Sequence, residues 1–139
     1  MNSGYELTSL TKIVVQDDIN IYAEASGDYN PLHRIPEFAA GTHFGRVVAH
    51  GMMILAYVNE MLTDSFGIYW ISNGHLKIRF RAPVYPGDKV RTFGRVIKSV
   101  ETDDTTTVIC NVGCLNENDE EVIRGDASIT VPRDFEFVR

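Results

Sequence analysis

Two side chains five residues apart could together move a proton to and from a water molecule. Asp28 supplies a carboxylate and His33 an imidazole, within the stretch formed by residues 22–33. Between them, Asn30-Pro31 turns the chain and leaves the backbone little freedom. An acid and an imidazole on stiff backbone are what general acid–base catalysis on a bound water requires. Taken alone, the same two residues could also be a capping aspartate and a structural histidine.

Gly51 opens the most apolar helix that the sequence predicts. The two residues before it, Ala49 and His50, are not of the types that usually cap the first amides of a helix. We therefore expect those N–H groups to be free to bind an incoming oxygen, which glycine allows to approach closely. Such donors can stabilise the oxygen of a developing enolate. A second interpretation, that only glycine packs beneath the neighbouring loop, is compatible with the first.

Three segments carry a resemblance to a known family. Its signature is an aromatic residue followed by Ser/Thr-Gly-Asp-x-Asn-Pro-hydrophobic-His, and it is matched by Tyr22 and by Ser26 through His33. Residues 49–52 (Ala-His-Gly-Met) and 80–88 (Phe-Arg-Ala-Pro-Val-Tyr-Pro-Gly-Asp) continue the match. The chain thus resembles the (R)-specific enoyl-CoA hydratase/MaoC-like dehydratase family over nearly its whole length. This resemblance implies reversible addition of water to a trans-2-enoyl thioester, giving the (R)-3-hydroxyacyl thioester, with no cofactor and no metal.

The resemblance also implies a role for each motif residue. Asp28 would be the general base and proton carrier, His33 would orient the water and share its proton, and the Gly51 amide would bind the thioester oxygen. Family members commonly carry a serine eight residues beyond Gly51; this sequence has Asn59 there, which can still donate and accept hydrogen bonds. The residues predicted to bind substrate are Asn59, His50, Met52 and Tyr57. His50 is expected mainly to brace the loop, and the other two belong first to the core.

Composition limits the partners and the compartment. With 139 residues and a formal net charge of −6, the chain is expected to be one domain, residues 1–139, that does not bind nucleic acid. The longest apolar run, residues 52–58, is too short to span a membrane, and the N-terminus does not look like a signal peptide, so we expect a cytoplasmic protein. Cys110 and Cys114 have no further zinc-type ligands nearby and are expected to be reduced core thiols.

Basic residues alternate with apolar ones along a predicted strand. The simplest interpretation is a half-buried strand with one solvated face. Alternatively, some of these side chains meet the phosphates of coenzyme A or the acidic surface of an acyl-carrier protein. The candidates are Lys77, Arg79, Arg81, Arg34, Arg46 and Lys89.

Periodicity predicts the elements that must hold these groups in place. A strand is expected over 11–15, then a helix capped by Asp17 and Asp18 that runs to about Ser26 and ends at Gly27. Residues 34–48 should be a loop with one helical turn near 37–40. The helix from His50 to about Asp64 is apolar in nearly every direction and should be covered on most sides. Strands are expected over 76–81, 90–100, 107–115 and 122–131, the second of them irregular at Gly94.

These elements predict an α+β protein with an antiparallel sheet wrapped around one helix. The resemblance makes this a hot-dog fold and implies a homodimer, or a dimer of dimers, with the substrate tunnel between subunits. Two alternative functions share that fold: a thioesterase, in which water attacks the carbonyl, and a non-catalytic subunit that binds acyl thioesters. An intact Asp28 and His33 argue against the second. The acyl length, the choice between coenzyme A and acyl-carrier protein, and the pathway are not determined by the sequence.

Overall fold

The computed structural model describes residues 2–137 of the chain. The long strands all lie in the second half of the chain. In chain order, the helices and strands are β1 (Thr11–Ile13), α1 (Gln16–Ser26), a 3-10 turn (Pro31–His33), α2 (Pro36–Ala40), α3 (Gly51–Phe66), α4 (Ile68–Asn73), β2 (His75–Phe80), β3 (Lys89–Glu101), β4 (Thr105–Leu115) and β5 (Glu121–Pro132). No helix within residues 2–137 has the length and apolar character needed to cross a bilayer.

The five strands form one antiparallel sheet in the order β1-β3-β4-β5-β2. Alternate residues of β3, β4 and β5 point to a common core that contains α3. On that helix Met53, Ile54, Val58, Met61, Leu62 and Phe66 are all buried. Each such side chain contributes about 1.5–3 kcal/mol when removed from water. The predicted α+β class, with an antiparallel sheet wrapped around a central helix, is confirmed as a hot-dog fold.

Helix α3, Gly51–Phe66, lies within two residues of the predicted bounds, His50 and about Asp64. Gly51 is its first residue, and Gly67 ends it with φ 60° while donating its amide to the Thr63 carbonyl. A positive φ favours glycine, so the stop is a backbone requirement. The helical turn predicted near 37–40 is also present, as α2.

Three details differ from the sequence predictions. Asp17 and Asp18 do not cap α1: the N-cap is Val15, and no side chain caps the helix. The two acids lie in its first turn, where their negative charge interacts favourably with the helix dipole. The irregularity in β3 falls between Val96 and Lys98, while Gly94 pairs regularly with Val112. Finally, α4 was not predicted.

The segment between α1 and α3 lies across the first turn of α3. Gly27 ends α1 in the left-handed conformation, with φ 77°. Asn30 then caps the 3-10 turn, since its Oδ1 accepts from the Leu32 amide at 3.0 Å. Farther on, the Val48 amide donates to the Leu32 carbonyl at 3.3 Å. These bonds fix the Asp28–His33 loop beside the start of α3.

Candidate active site

Asp28 is held by local hydrogen bonds and keeps part of its carboxylate free. Its amide donates to Ser26 Oγ at 3.2 Å, and its Oδ1 accepts from the Asn30 amide at 3.2 Å. The side chain is 52% exposed, and Oδ2 lies 3.9 Å from His50 Nε2. The loop therefore fixes one carboxylate oxygen and presents the other to solvent and to the neighbouring imidazoles.

His33 is fixed in one tautomer by its contact with the main chain. Its Nδ1 lies 2.7 Å from the carbonyl oxygen of Val48. Because a carbonyl oxygen can only accept, Nδ1 carries the proton, and in the neutral ring Nε2 carries the lone pair. The sequence could not show which nitrogen is available; this hydrogen bond assigns Nε2 as the free acceptor.

His50 lies beneath both of these residues. It is 2% exposed, its Nε2 lies 3.1 Å from the Asp28 carbonyl oxygen, and its ring stacks on that of His33 at 3.9 Å between centroids. Nδ1 has no hydrogen-bond partner among the described residues. Burial lowers the pKa of His50 from its ordinary 6.5, and the nearby His33 lowers it further, outweighing the Asp28 carbonyl and carboxylate, which raise it. The ring is therefore neutral near pH 7.

A carboxylate oxygen of Asp28 and one ring nitrogen from each of His33 and His50 lie within 4.8 Å of one another. Two hydrogen bonds of about 2.8 Å each span such a gap, so one water molecule can bridge the carboxylate and the His33 ring. The same three residues could be considered for a metal ion. However, the His50 nitrogen nearest the carboxylate is Nε2, whose proton is committed to the Asp28 carbonyl. The cluster as arranged thus suits a water better than an ion.

A pocket of about 360 Å³ opens next to His33. Its walls are mainly aliphatic, from Leu32, Val48, Ile54, Val84 and Val122, with Phe44, Phe80 and Arg81 also lining it. This volume falls in the range of small-molecule sites, which are largely apolar with a few placed polar groups. A substrate whose reacting group lies near His33 could thus place an attached apolar chain in this pocket.

The first amides of α3 are uncapped, as the sequence predicted. His50 is the N-cap and no side chain caps the helix. Met53 and Ile54 donate to the His50 carbonyl, and no hydrogen bond from the Gly51 or Met52 amides is present among the described residues. Gly51 also lines the pocket. The same cavity therefore has His33 and an unpaired helix amide in its wall.

The other predicted substrate-binding residues do not line this pocket. Asn59 Oδ1 accepts from Trp70 Nε1 at 3.2 Å, which ties α3 to α4. Tyr57 is half-buried, with Lys12 Nζ 5.6 Å from its ring centroid. Met52 was expected to belong to the core, and that prediction is wrong: it is 57% exposed, because the buried face of α3 begins with Met53 and Ile54. Sequence reasoning gave no site role to Phe80 or Phe44, although Phe80 begins one of the segments that carried the family resemblance.

Comparison with known proteins gives matches to this chain in both sequence and fold. Residues 4–118 match the family model described as MaoC like domain. The mitochondrial 3-hydroxyacyl-[acyl-carrier-protein] dehydratase of Arabidopsis thaliana is 33% identical over 124 residues, covering 88% of this chain and 73% of that protein. The (R)-specific enoyl-CoA hydratase of Rhodospirillum rubrum is 30% identical over 129 residues, covering 89% and 84%. Among solved structures, the (R)-hydratase from Aeromonas caviae superposes with a TM-score of 0.80 at 23% identity, covering 95% of this chain and 98% of that one.

Proposed function

Because this chain belongs to the MaoC-like dehydratase family, we propose that it catalyses the reversible addition of water to a trans-2-enoyl thioester, giving the (R)-3-hydroxyacyl thioester. One observation carries the proposal: Asp28 and His33 leave a gap for one water beside a pocket that also contains the uncapped Gly51. The relatives named above are hydratases or dehydratases of acyl thioesters, the same reaction in its two directions.

The hydrogen-bonding capacities of the two side chains suit the activation of a water. Asp28 as a carboxylate and His33 through Nε2 both accept, so the bridging water donates one hydrogen to each. Its oxygen lone pair is then directed away from both residues, toward the β-carbon of the substrate. Asp28 takes the proton as the C–O bond forms and returns it to the α-carbon. The elements of water are thereby added across the double bond, and both side chains regain their starting states.

The Gly51 amide supplies stabilisation where charge develops. Attack at the β-carbon moves negative charge onto the thioester oxygen, and an unpaired N–H at the start of a helix is a suitable donor for it. In a water-poor pocket one such donor contributes roughly 3–4 kcal/mol to lowering the barrier. The apolar walls favour that condition, because they bind the acyl chain and exclude solvent.

We propose coenzyme A as the carrier of the thioester, with acyl-carrier protein as the alternative. Arg81 is exposed, lines the pocket and forms no ion pair within residues 2–137. A guanidinium there could bind a phosphate of the carrier.

A cytoplasmic location stays a prediction, since the name of the Arabidopsis relative describes that protein as mitochondrial.

A homodimer formed through β2 is the assembly we propose. β2 lies at the edge of the sheet and pairs only with β5 among the described residues. The Arg81 amide donates to the Val122 carbonyl, so by alternation the amides of Leu76, Ile78 and Phe80 face the open edge. An unpaired strand edge is a template for another strand. Exposed Ile68 and Ile71 on the preceding helix add apolar surface.

The assembly is tested by light scattering on the purified protein. Ile78→Pro removes an outward amide without breaking a bond to β5, and proline is tolerated at such edge positions. We expect a dimeric wild type and a monomeric Ile78→Pro protein, with Ile78→Ala, the control for lost side-chain packing, still dimeric. A wild type that is monomeric at micromolar concentration contradicts the proposal.

The reaction is tested with trans-2-enoyl thioesters of coenzyme A of graded length. A hydratase lowers the absorbance of the conjugated thioester and releases no thiol, whereas a thioesterase releases thiol that reacts with DTNB. We expect loss of absorbance without thiol, and a fall in kcat of at least about 100-fold in Asp28→Asn and in His33→Gln. Wild-type turnover by both variants, or release of thiol by the wild type, would reject the assignment.

A further inference from the structure

His50 touches both proposed catalytic side chains without lining the pocket. Its Nε2 lies 3.1 Å from the Asp28 carbonyl oxygen, and its ring stacks on His33 with centroids 3.9 Å apart and planes inclined by 27°. Tyr22 contacts its ring at 4.9 Å between centroids. We propose that His50 is a positioning residue of the hydration reaction: it holds the main chain of Asp28 by donating from Nε2 and supports the ring of His33 by stacking. This inference rests on the proposed function.

The hydrogen bond from His50 connects the Asp28 loop to a residue distant in sequence. The other bonds of Asp28 reach only two residues along the chain, to Ser26 and from Asn30. His50 lies 22 residues away and is the N-cap of α3, directly before Gly51. One side chain therefore sets the distance between the carboxylate, the imidazole and the helix amide, which must act on the same substrate.

The unpaired Nδ1 of His50 argues that the ring is present for this bond. Since the Asp28 carbonyl can only accept, the proton is on Nε2, and Nδ1 is left as a buried acceptor without a partner among the described residues. A buried polar atom without a partner is destabilising and calls for an explanation. An apolar ring of similar size would fill the space without that cost. It could not donate to Asp28.

His50 is not suited to proton transfer itself. Burial is the main cause that lowers its pKa, and the titratable groups that face it are His33, Asp28 and the phenol of Tyr22. Its one N–H already bonds a main-chain carbonyl and not the water. Its effect on the reaction is thus expected through geometry, and a misplacement of reacting groups by about 1 Å can lower the rate on the order of 100-fold.

Two substitutions separate the hydrogen bond from the stacking. His50→Phe keeps a ring against His33 and removes the donor. His50→Gln removes the ring and keeps an N–H donor near the position of Nε2. We expect kcat of His50→Phe to fall on the order of 10–100-fold with KM changed less than about threefold, and His50→Gln to recover part of that loss. Tyr22→Phe, which keeps the ring contact, is the control and should retain wild-type kcat.

Thermal unfolding distinguishes positioning from simple structural support. Because His50→Phe removes the unpaired Nδ1, its Tm should equal or exceed that of the wild type while kcat falls. A His50→Phe protein with wild-type kcat, or one whose lower kcat accompanies a lower Tm and is not improved in His50→Gln, overturns the inference. These outcomes require an active wild type. A wild type without hydratase activity overturns the proposed function, and the role of His50 with it.

Discussion

A methyl group added to Gly51 would lie 3.0 Å from Cε1 of Phe80 and 3.1 Å from its Cδ1. Phe80 is the last residue of β2, about half-exposed, and both residues line the pocket. The aromatic ring therefore occupies the space that a side chain at position 51 would need. The ring and the glycine whose amide is proposed to bind the thioester oxygen thus share one wall of the pocket. Glycine is favoured here by close packing against Phe80 and not by a positive φ.

Gly51→Ala is predicted to lower activity without lowering stability. The new Cβ must push the Phe80 ring by a few tenths of an ångström and crowd the oxygen site, so we expect kcat/KM to fall about tenfold. Alanine is a better helix former than glycine, so Tm should not decrease. The double variant Gly51→Ala/Phe80→Leu relieves the contact and should recover part of the loss. No recovery would show that the ring is not the obstacle.

The lowered pKa of His50 predicts a pH dependence of stability. The folded protein holds this group neutral below its ordinary pKa of 6.5, so between the two pKa values the unfolded chain binds more protons. The contribution of His50 to the free energy of unfolding should be constant above about pH 6.5, fall as the pH is lowered, and level off below the folded-state pKa. Urea unfolding of wild type and His50→Phe between about pH 7 and 5 measures this difference. Equal slopes for the two proteins would contradict it.

Asn59→Ser tests whether Asn59 braces the fold or contacts substrate. Serine is too short to replace the bond from Trp70 Nε1, and the indole is buried. We expect the free energy of unfolding to fall by about 1 kcal/mol, with kcat/KM for short enoyl thioesters unchanged. Asn59→Asp keeps an acceptor oxygen and should retain stability. A changed preference among thioesters with unchanged stability would instead support the substrate contact that the sequence predicted.

Local patterns predicted most of the elements, and long-range contacts account for the misses. Helix α3 and the long strands follow from hydrophobic periodicity. Helix α4 does not, because it depends on Trp70 packing into the core and on Asn73, whose side chain exchanges two hydrogen bonds with the main chain of Thr130. Gly94 was expected to disturb β3, yet its missing side chain leaves room for Leu7 and Met61 in a regular strand.

The same division applies to the candidate site. Asp28, His33 and Gly51 could be predicted because each belongs to a short motif. The available nitrogen of His33 depends on the Val48 carbonyl, 15 residues away, and the cover over Gly51 depends on Phe80 in another element. Contacts of this kind follow only from the folded chain. That is why the sequence could indicate the candidate catalytic residues but not their geometry.

Cys110 and Cys114 are predicted to be unreactive in the folded protein. Both are free and buried on β4, and burial raises the pKa of each thiol to about 12. The thiolate is the reactive form, so DTNB should label neither cysteine until the protein is unfolded in guanidinium. The measurement is the absorbance of the thiolate released from DTNB before and after denaturation. Rapid labelling of native protein would contradict the burial and would also spoil the thiol assay that separates hydratase from thioesterase.

Arg81→Gln is predicted to weaken binding of the carrier without slowing the chemistry. Arg81 directly follows β2 and lines the pocket, whereas Arg79 lies within β2 and does not, so Arg79→Gln is the matched control. An exposed charge–phosphate contact is worth up to about 1 kcal/mol, so KM for an enoyl-CoA should rise up to about fivefold with kcat unchanged. The rise of KM with salt should also be smaller in this variant. An enoyl thioester of N-acetylcysteamine has no phosphate, and with it Arg81→Gln should match the wild type. An equal effect on both thioesters would mean that Arg81 contacts the acyl chain or shapes the pocket instead.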